Sequence, residues 1–318
     1  MVNKDKNLMW SYLIHIGYNM WFEQDAGFGL LADGYAEDYC TASNVLRFDM
    51  NVWNMLVDSM AKSGINTLVI DLGEGIRYES HPEIAVEKSL SKQLFHEMLE
   101  KLRQKGITPI PKLNFSTCHD EWMGKYSRCV SSSEYYAVCR DLIDEVTELF
   151  DKPAYFHLGM DEETYEHQRY NRYAVVRNGE QWWSDLFFLA NVVEKKGVRP
   201  WVWSDRIWNH EKEFLCNMPK EFMQSNWYYD GSFNKENNFV RAFNVLDENG
   251  YQHIPTGGTW SCQWNFEGTV NYCSETCNPE QIAGFMQTVW RPTLDDVKFR
   301  HLEAIDIVRK VRSDFENR

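Results

Sequence analysis

One feature constrains this chain more than any other. Short apolar runs alternate with longer stretches whose apolar residues recur at helical spacing. The spacing predicts strands over 11–19, 65–72, 107–115, 154–160, 198–205, 221–230, 251–260 and 281–290. Between and after them it predicts helices over 48–64, 89–106, 133–150, 181–197, 237–250 and 294–315. Four of these helical stretches end in a glycine, at Gly64, Gly106, Gly197 and Gly250, which is how a helix is commonly stopped. Strands alternating with helices imply a parallel sheet with crossover helices. Eight such strands in 318 residues predict a single (β/α)8 TIM barrel spanning 1–318. An open doubly wound sheet is the alternative. It usually places a Gly-rich phosphate turn after its first strand, and "IGYNMWFEQ" is not one.

Composition narrows the partners. A net charge of −14 argues against nucleic acid and against anionic membrane surfaces. No apolar run is long enough for a membrane span. Thirteen Trp and sixteen Tyr offer stacking platforms, for which sugars are a common ligand, though large cores also use Trp. The eight Cys contain no Cys-x-x-Cys pair and no evident metal-ligand spacing, so the sequence calls for no metal and no cofactor. Cys273 and Cys277 are either a small disulfide or two free thiols. The opening "MVNKDKNLMW" lacks a signal peptide's apolar core and cleavage site. The expectation is a cytosolic protein, or one whose leader was removed before this numbering begins.

The stretch "YFHLGMDEET", residues 155–164, carries the chemistry. A buried strand breaks at Gly159 and runs into Asp161, Glu162 and Glu163. Adjacent like charges are costly to desolvate, and folding alone does not require them. In a barrel, reactive residues gather at the carboxyl ends of the strands. There this sequence places His119, Asp161, Glu162, Trp203, Asp205, Trp227, Trp260 and Trp290. Asp71 and Arg77 follow strand 2. A general acid working at neutral pH needs a raised pKa, which a neighbouring carboxylate and partial burial supply. Trp182 and Trp183 sit on a helical pattern and read as core. Trp122 and Trp264 read equally as outer stacking surfaces or plain packing.

"FHLGMDEE" resembles the His-x-Gly-Gly-Asp-Glu signature of family 20 glycoside hydrolases, the β-N-acetylhexosaminidases, with Met160 in place of the second Gly. "INTLVIDLGEGIRYESHPEI", "PIPKLNFSTCHDE", "VWSD", "SNWYYD" and "TVW" are similar to successive strand-end segments of that family, across nearly the whole chain. The resemblance implies hydrolysis of a β-linked 2-acetamido sugar, with the acetamido group itself as nucleophile. It implies that Trp203, Trp227 and Trp290 box the acetamido methyl, that Asp161 orients the amide and that Glu162 is the acid/base. His119 would stand beside the acids, and Asp205 would line the pocket where the family has Glu.

Three positions depart from the family. The strand-1 Arg is missing from "IHIGYNMW", strand 7 has Trp260-Ser261-Cys262-Gln263 in place of Trp-Tyr-x-Asp, and Arg291-Pro292 follows Trp290. Tyr228 or Tyr229 would then take over from the missing Tyr. Sugar hydroxyls would be read by Arg77, Asn19 or Gln263, or would be substituted in the true substrate, a glycan containing N-acetylhexosamine. Two rivals stand beside this reading. One is a two-carboxylate glycosidase with Asp205 or Asp71 as partner of Glu162. The other is a sugar-binding barrel without turnover.

Overall fold

A computed structural model describes residues 8–24 and 39–317. The opening segment that bears on a leader lies mostly outside the described residues. Eight strands form one parallel sheet: β1 (Met9–His15), β2 (Thr67–Asp71), β3 (Thr108–Lys112), β4 (Tyr155–His157), β5 (Arg199–Trp203), β6 (Met223–Ser225), β7 (Thr256–Gly258) and β8 (Gly284–Thr288). They are hydrogen-bonded in the order β6-β5-β4-β3-β2-β1-β8-β7. Single bridges Gln224↔His253 and Trp227↔Thr256 bring the two ends together and complete the barrel. The predicted (β/α)8 barrel is therefore the fold.

The helices are α1 (Met50–Ser63), α2 (Lys92–Gln104), α3 (Ser133–Leu149), the short α4 (Tyr165–Gln168), α5 (Glu180–Lys195), α6 (Ile207–Asn217), α7 (Asn238–Glu248), α8 (Asn265–Thr276) and α9 (Lys298–Glu316). Several of their starts follow capping chemistry. Asp49 accepts the Asn51 and Val52 amides ahead of α1, and Ser91, Ser132 and Asn237 accept amides in the same way for α2, α3 and α7. Gly64 closes α1 at φ 77°, where a Cβ would also collide with the Arg312 side chain.

Two cores result. Leu56, Phe95, Leu142, Leu186 and Ile305 belong to a large one that joins helices to barrel wall. Leu13, Val69, Ile110, Trp201, Met223 and Met286, all on strands, form a second, separate cluster with Trp203 and Trp290. Above it lies a polar layer. His15, Asp71, Lys112 and His157 sit in register on four neighbouring strands, all buried. Lys112 pairs with Asp71, and His15 lies 3.6 Å from the same carboxylate. Burial would raise Asp71, but the Lys112 charge and the His15 contact hold it down at about 2. The expectation that Asp71 could serve as a catalytic partner is thereby overturned: it belongs to an ion pair within the polar layer.

Candidate active site

The acids stand on a strained turn. After β4 the chain passes through Gly159 (φ 73°), Met160 (φ 73°) and Glu162 (φ 56°), three left-handed residues in four. A Cβ at Gly159 would collide with the Asn114 side chain, so only glycine fits. Met160 holds a left-handed conformation that glycine would adopt without strain. The loop after β3 clamps the turn. Ser116 Oγ donates to the Asp161 carbonyl, Cys118 Sγ lies 2.7 Å from the Glu162 carbonyl, and Asn114 Nδ2 donates to Asp161 Oδ1 at 2.8 Å.

The three acids have three different fates. Glu163 is buried on Arg177, whose guanidinium also reaches Asp185 at 2.9 Å and the Phe115 carbonyl at 2.7 Å. It is structural. Asp161 is 5% exposed and faces the pocket with Asn114 behind it. Glu162 faces the same pocket between two imidazoles: His119 Nε2 is 3.1 Å from Oε2, and His167 Nε2 is 3.4 Å from Oε1. Burial would raise Glu162, but the hydrogen bonds and charges of His119 and His167 hold it below the usual carboxylate range. The raised Glu162 expected from its acidic neighbour is thus corrected, because two imidazoles outweigh one carboxylate. Burial would in turn lower His119, yet the Asp161 charge and the Glu162 contact push it up to about 9.

Asp205 also departs from expectation. It does not line the main pocket. It sits in an adjoining cleft, and its Oδ2 accepts the Glu162 backbone N–H at 2.9 Å. Burial and the charges of Asp161 and Glu162 push it well above the carboxylate range, which favours its neutral form. It holds the left-handed Glu162 backbone and is not placed across the pocket as a second carboxylate.

The pocket measures about 260 Å³, near the lower end of small-molecule sites at roughly 300–1,000 Å³. Trp227, Trp290, Trp260, Tyr228, Tyr229, Trp21, Met20 and Phe239 give it aromatic and apolar walls. Asn114, His119, Asp161, Glu162, Asp230 and Ser261 supply the polar groups. Trp227 stacks on Tyr229 at 5.2 Å, and Trp290 Nε1 donates to the Tyr229 hydroxyl at 2.9 Å. Tyr228 turns its hydroxyl away, to the Ser232 carbonyl. Trp203 is not a wall. It is 1% exposed, packed against His157 at 4.6 Å and Trp290 at 6.1 Å.

Several predicted residues fall elsewhere. Arg77 is exposed and outside the pocket. Gln263 is exposed and bonds Glu303. The Asn19 side chain is tied to the Ser43 backbone. None of these three reads a pocket ligand. Trp182 and Trp183 are core, as expected; Trp122 is buried with its Nε1 on the Asn114 carbonyl, and Trp264 is exposed. Cys273 and Cys277 are two thiols and form no disulfide. Sequence reasoning missed Asn114, Trp21, His167 and Asp230. Only Asn114, two residues beyond β3, carried a signal: a polar side chain at a strand's carboxyl end.

The fold and the site define a (β/α)8 barrel with an acid pair and an aromatic pocket at its carboxyl face. The structure is similar to a family 20 exo-β-N-acetylglucosaminidase from Vibrio harveyi solved with N-acetylglucosamine (TM-score 0.62, 13% identity, 98% of this chain and 57% of that one). It is also similar to a Flavobacterium johnsoniae chitobiase (0.59, 16%, 83% and 50%) and a Streptomyces plicatus N-acetyl-β-hexosaminidase in complex with Thio-NAglucal (0.63, 12%, 96% and 64%). The chain thus carries the barrel fold of family 20 structures, while spanning only 50–64% of those three chains. No family profile and no curated protein matches the sequence.

Proposed function

We propose that this protein is a divergent family 20 glycoside hydrolase that cleaves a β-linked 2-acetamido-2-deoxyhexoside with retention, by substrate-assisted catalysis. The observation that carries the reading is the placement of Asp161 and Glu162 side by side in one aromatic pocket, each held by a different partner. The two carboxylates weighed as partners of Glu162 in a two-carboxylate mechanism are both out of position: Asp205 lies behind Glu162, and Asp71 is paired with Lys112.

In this reading Trp227, Trp290 and Tyr229 surround the acetamido group, with Trp203 supporting Trp290 from below. Trp290 donates to the Tyr229 oxygen, which leaves the tyrosine's own proton for the acetamido carbonyl. Asp161, fixed by Asn114, orients the amide N–H. The acetamido oxygen attacks C1 as the C1–O bond to the leaving group breaks. Glu162 protonates the departing oxygen. The proton it needs would come from His119, whose Nε2 lies 3.1 Å from Glu162 Oε2. Asp161 then faces the cationic oxazolinium, and Glu162, now ionised, takes a proton from the water that reopens it.

Hydrolysis of aryl N-acetyl-β-hexosaminides, set against the matching plain β-glucoside, tests the proposal. Turnover confined to the acetamido substrate, with tight binding of a thiazoline mimic of the intermediate, is expected. Equal cleavage of the plain glucoside overturns the nucleophile assignment, and no turnover of any acetamido sugar leaves a binding barrel.

A further inference from the structure

A second cluster lies at the opposite end of the barrel from the acid pair. Asp247 is on the last turn of α7, His253 shortly precedes β7, and Cys277 caps α8. One ligand atom from each, a carboxylate oxygen, an imidazole nitrogen and a thiol sulfur, lies within 4.8 Å of the others. Asp247 Oδ1 is 3.9 Å from His253 Nε2. The backbone amide of Asn278 occupies Oδ1 at 2.9 Å and leaves Oδ2 available. Cys273, one helical turn before Cys277, is fully buried with its thiol against that of Cys277.

His253 is the telling member. It is 0% exposed, neither ring nitrogen makes a hydrogen bond of ordinary geometry, and the groups it faces are the Cys277 thiol and the Asp247 carboxylate. A buried imidazole always carries at least one N–H, and leaving it unsatisfied is costly. Its position is also mechanically significant. His253 makes backbone bridges to Gln224 on β6 and to Ile282 just before β8. This is the seam where β6 and β7 meet through single bridges only.

We propose that Asp247, His253, Cys273 and Cys277 form a structural site for a borderline-soft divalent cation of the zinc class, which staples α7, α8 and the start of β7 across the barrel seam. Two sulfurs, one imidazole and one carboxylate suit tetrahedral zinc and disfavour magnesium or calcium. Zinc–ligand distances of about 2.0–2.3 Å require the ligand atoms of Asp247, His253 and Cys277 to draw in by roughly 1 Å from their spacing of up to 4.8 Å, with Cys273 turning in beside Cys277 as the fourth ligand. Binding releases the thiol protons and gives up the weak contact of the Cys277 thiol with the Phe243 carbonyl at 3.9 Å. The ligands come from three places along the chain, and Cys-x-x-x-Cys is not a familiar metal spacing, so no sequence motif announces the site.

The test uses the full chain, stripped with a chelator under reducing conditions and titrated with Co²⁺. One equivalent should bind with a sulfur-to-cobalt charge-transfer band and tetrahedral d–d absorption, both abolished by added Zn²⁺. Zn²⁺ at about a hundredfold over its Kd should raise Tm by on the order of 5 °C. Cys277→Ser should weaken the sulfur band, the Cys273→Ser/Cys277→Ser double variant should abolish it, and Asp247→Asn should weaken Co²⁺ binding at least tenfold. Cobalt held by His119, Asp161 and Glu162 would show no sulfur band, so the two clusters are distinguishable. If Cys277→Ser does not fold, the wild-type protein still decides: Zn²⁺ should protect Cys273 and Cys277 from alkylation. Absence of the sulfur band, its undiminished strength in folded Cys277→Ser, its persistence in the folded double variant, unprotected thiols, or a Cys273–Cys277 disulfide in unreduced protein overturns the proposal.

Discussion

His119 Nε2 lies 3.1 Å from Glu162 Oε2 and 3.5 Å from Asp161 Oδ2. One imidazole therefore faces both acids, and its Nδ1 is 3.3 Å from the Met20 carbonyl. With both nitrogens facing oxygen acceptors, the imidazolium is the favoured form. The ring carries the proton that Glu162 delivers in the proposed mechanism.

Glu162→Gln should lower kcat by about 10²–10⁴-fold while leaving substrate affinity nearly unchanged, since general acid–base catalysis contributes on that scale and the amide keeps the shape. The comparison is of kcat and KM on a substrate with a poor leaving group. Asp161→Asn should lower kcat as well, through weaker support of the cation. Near-normal turnover by Glu162→Gln removes Glu162 from the acid role.

The His119 pair makes stability depend on pH with a definite sign. A histidine raised in the folded state to about 9 binds a proton that the unfolded chain, at about 6.5, releases earlier. The stabilisation is complete below about pH 6.5 and is lost as pH rises toward 9. His119→Gln should remove that slope, a difference of up to about 3 kcal/mol between the two pH values. Chemical denaturation of both proteins at pH 6 and pH 9 measures it. Parallel curves for the two would show that His119 carries no raised pKa.

Gly159→Ala should cost both stability and rate. The left-handed backbone penalises a Cβ by about 1–2 kcal/mol, and the collision with Asn114 adds to it. Asn114 would have to leave Asp161, so kcat should fall more than Tm alone explains. Asn114→Ala provides the control, since it removes the same hydrogen bond without straining the turn. If Gly159→Ala folds with unchanged Tm, the turn has no need of glycine.

Much of this architecture is legible in the order of residues alone. Alternating apolar runs and period-3.6 patterns define the barrel, because parallel strands buried on both faces must be apolar and their crossover helices amphipathic. The acids stand out because nothing in folding calls for them. The elements that escape have weak local signals. α6 breaks its helical geometry at His210 and has no side-chain cap, and α8 starts after Trp264 with no side-chain cap either. Strand ends are shorter than the apolar runs that mark them: 221–230 contains only Met223–Ser225, since Asn226 onward serves the rim. Which rim residues face the pocket is the least legible feature. Trp203 and Arg77 stand near the ends of their strands, yet one is buried beneath the site and the other is exposed outside it. Side-chain direction there depends on backbone turns such as the left-handed Trp290 (φ 52°), which no sequence pattern announces.

Tyr229→Phe tests the acetamido contact that the proposed mechanism assigns to the Tyr229 hydroxyl. The ring would keep its stack on Trp227 and lose only the hydroxyl that meets Trp290 Nε1. A hydrogen bond to a developing charge is worth about 1.5–3 kcal/mol, or roughly 10–150-fold. kcat/KM on an aryl N-acetylhexosaminide should fall by that factor, and affinity for a thiazoline inhibitor with it. An unchanged value means the acetamido oxygen is bound elsewhere.

The last prediction concerns the rest of the sugar. Among the described residues lining the pocket there is no arginine or lysine, and the only carboxylate beyond the acid pair is Asp230, at the rim. Arg77, Asn19 and Gln263 are all engaged or placed elsewhere. A pocket that leaves sugar hydroxyls unpaired binds an unsubstituted terminal sugar poorly. The aromatic rim, with Trp21 and Trp260 stacked at 6.5 Å, favours a substituent that presents a flat apolar face, such as a further sugar ring. kcat/KM should therefore be higher on oligosaccharides substituted at O3, O4 or O6 of the acetamido sugar than on the simple aryl glycoside. Trp260→Ala should erase most of that preference while costing the simple substrate less, since Trp260 is a pocket wall that is 37% exposed. Asp230→Asn separates the two ways of reading hydroxyls: if it abolishes activity on the unsubstituted sugar, and that sugar is preferred over every substituted one, Asp230 has replaced the lost contacts and the open-rim account fails.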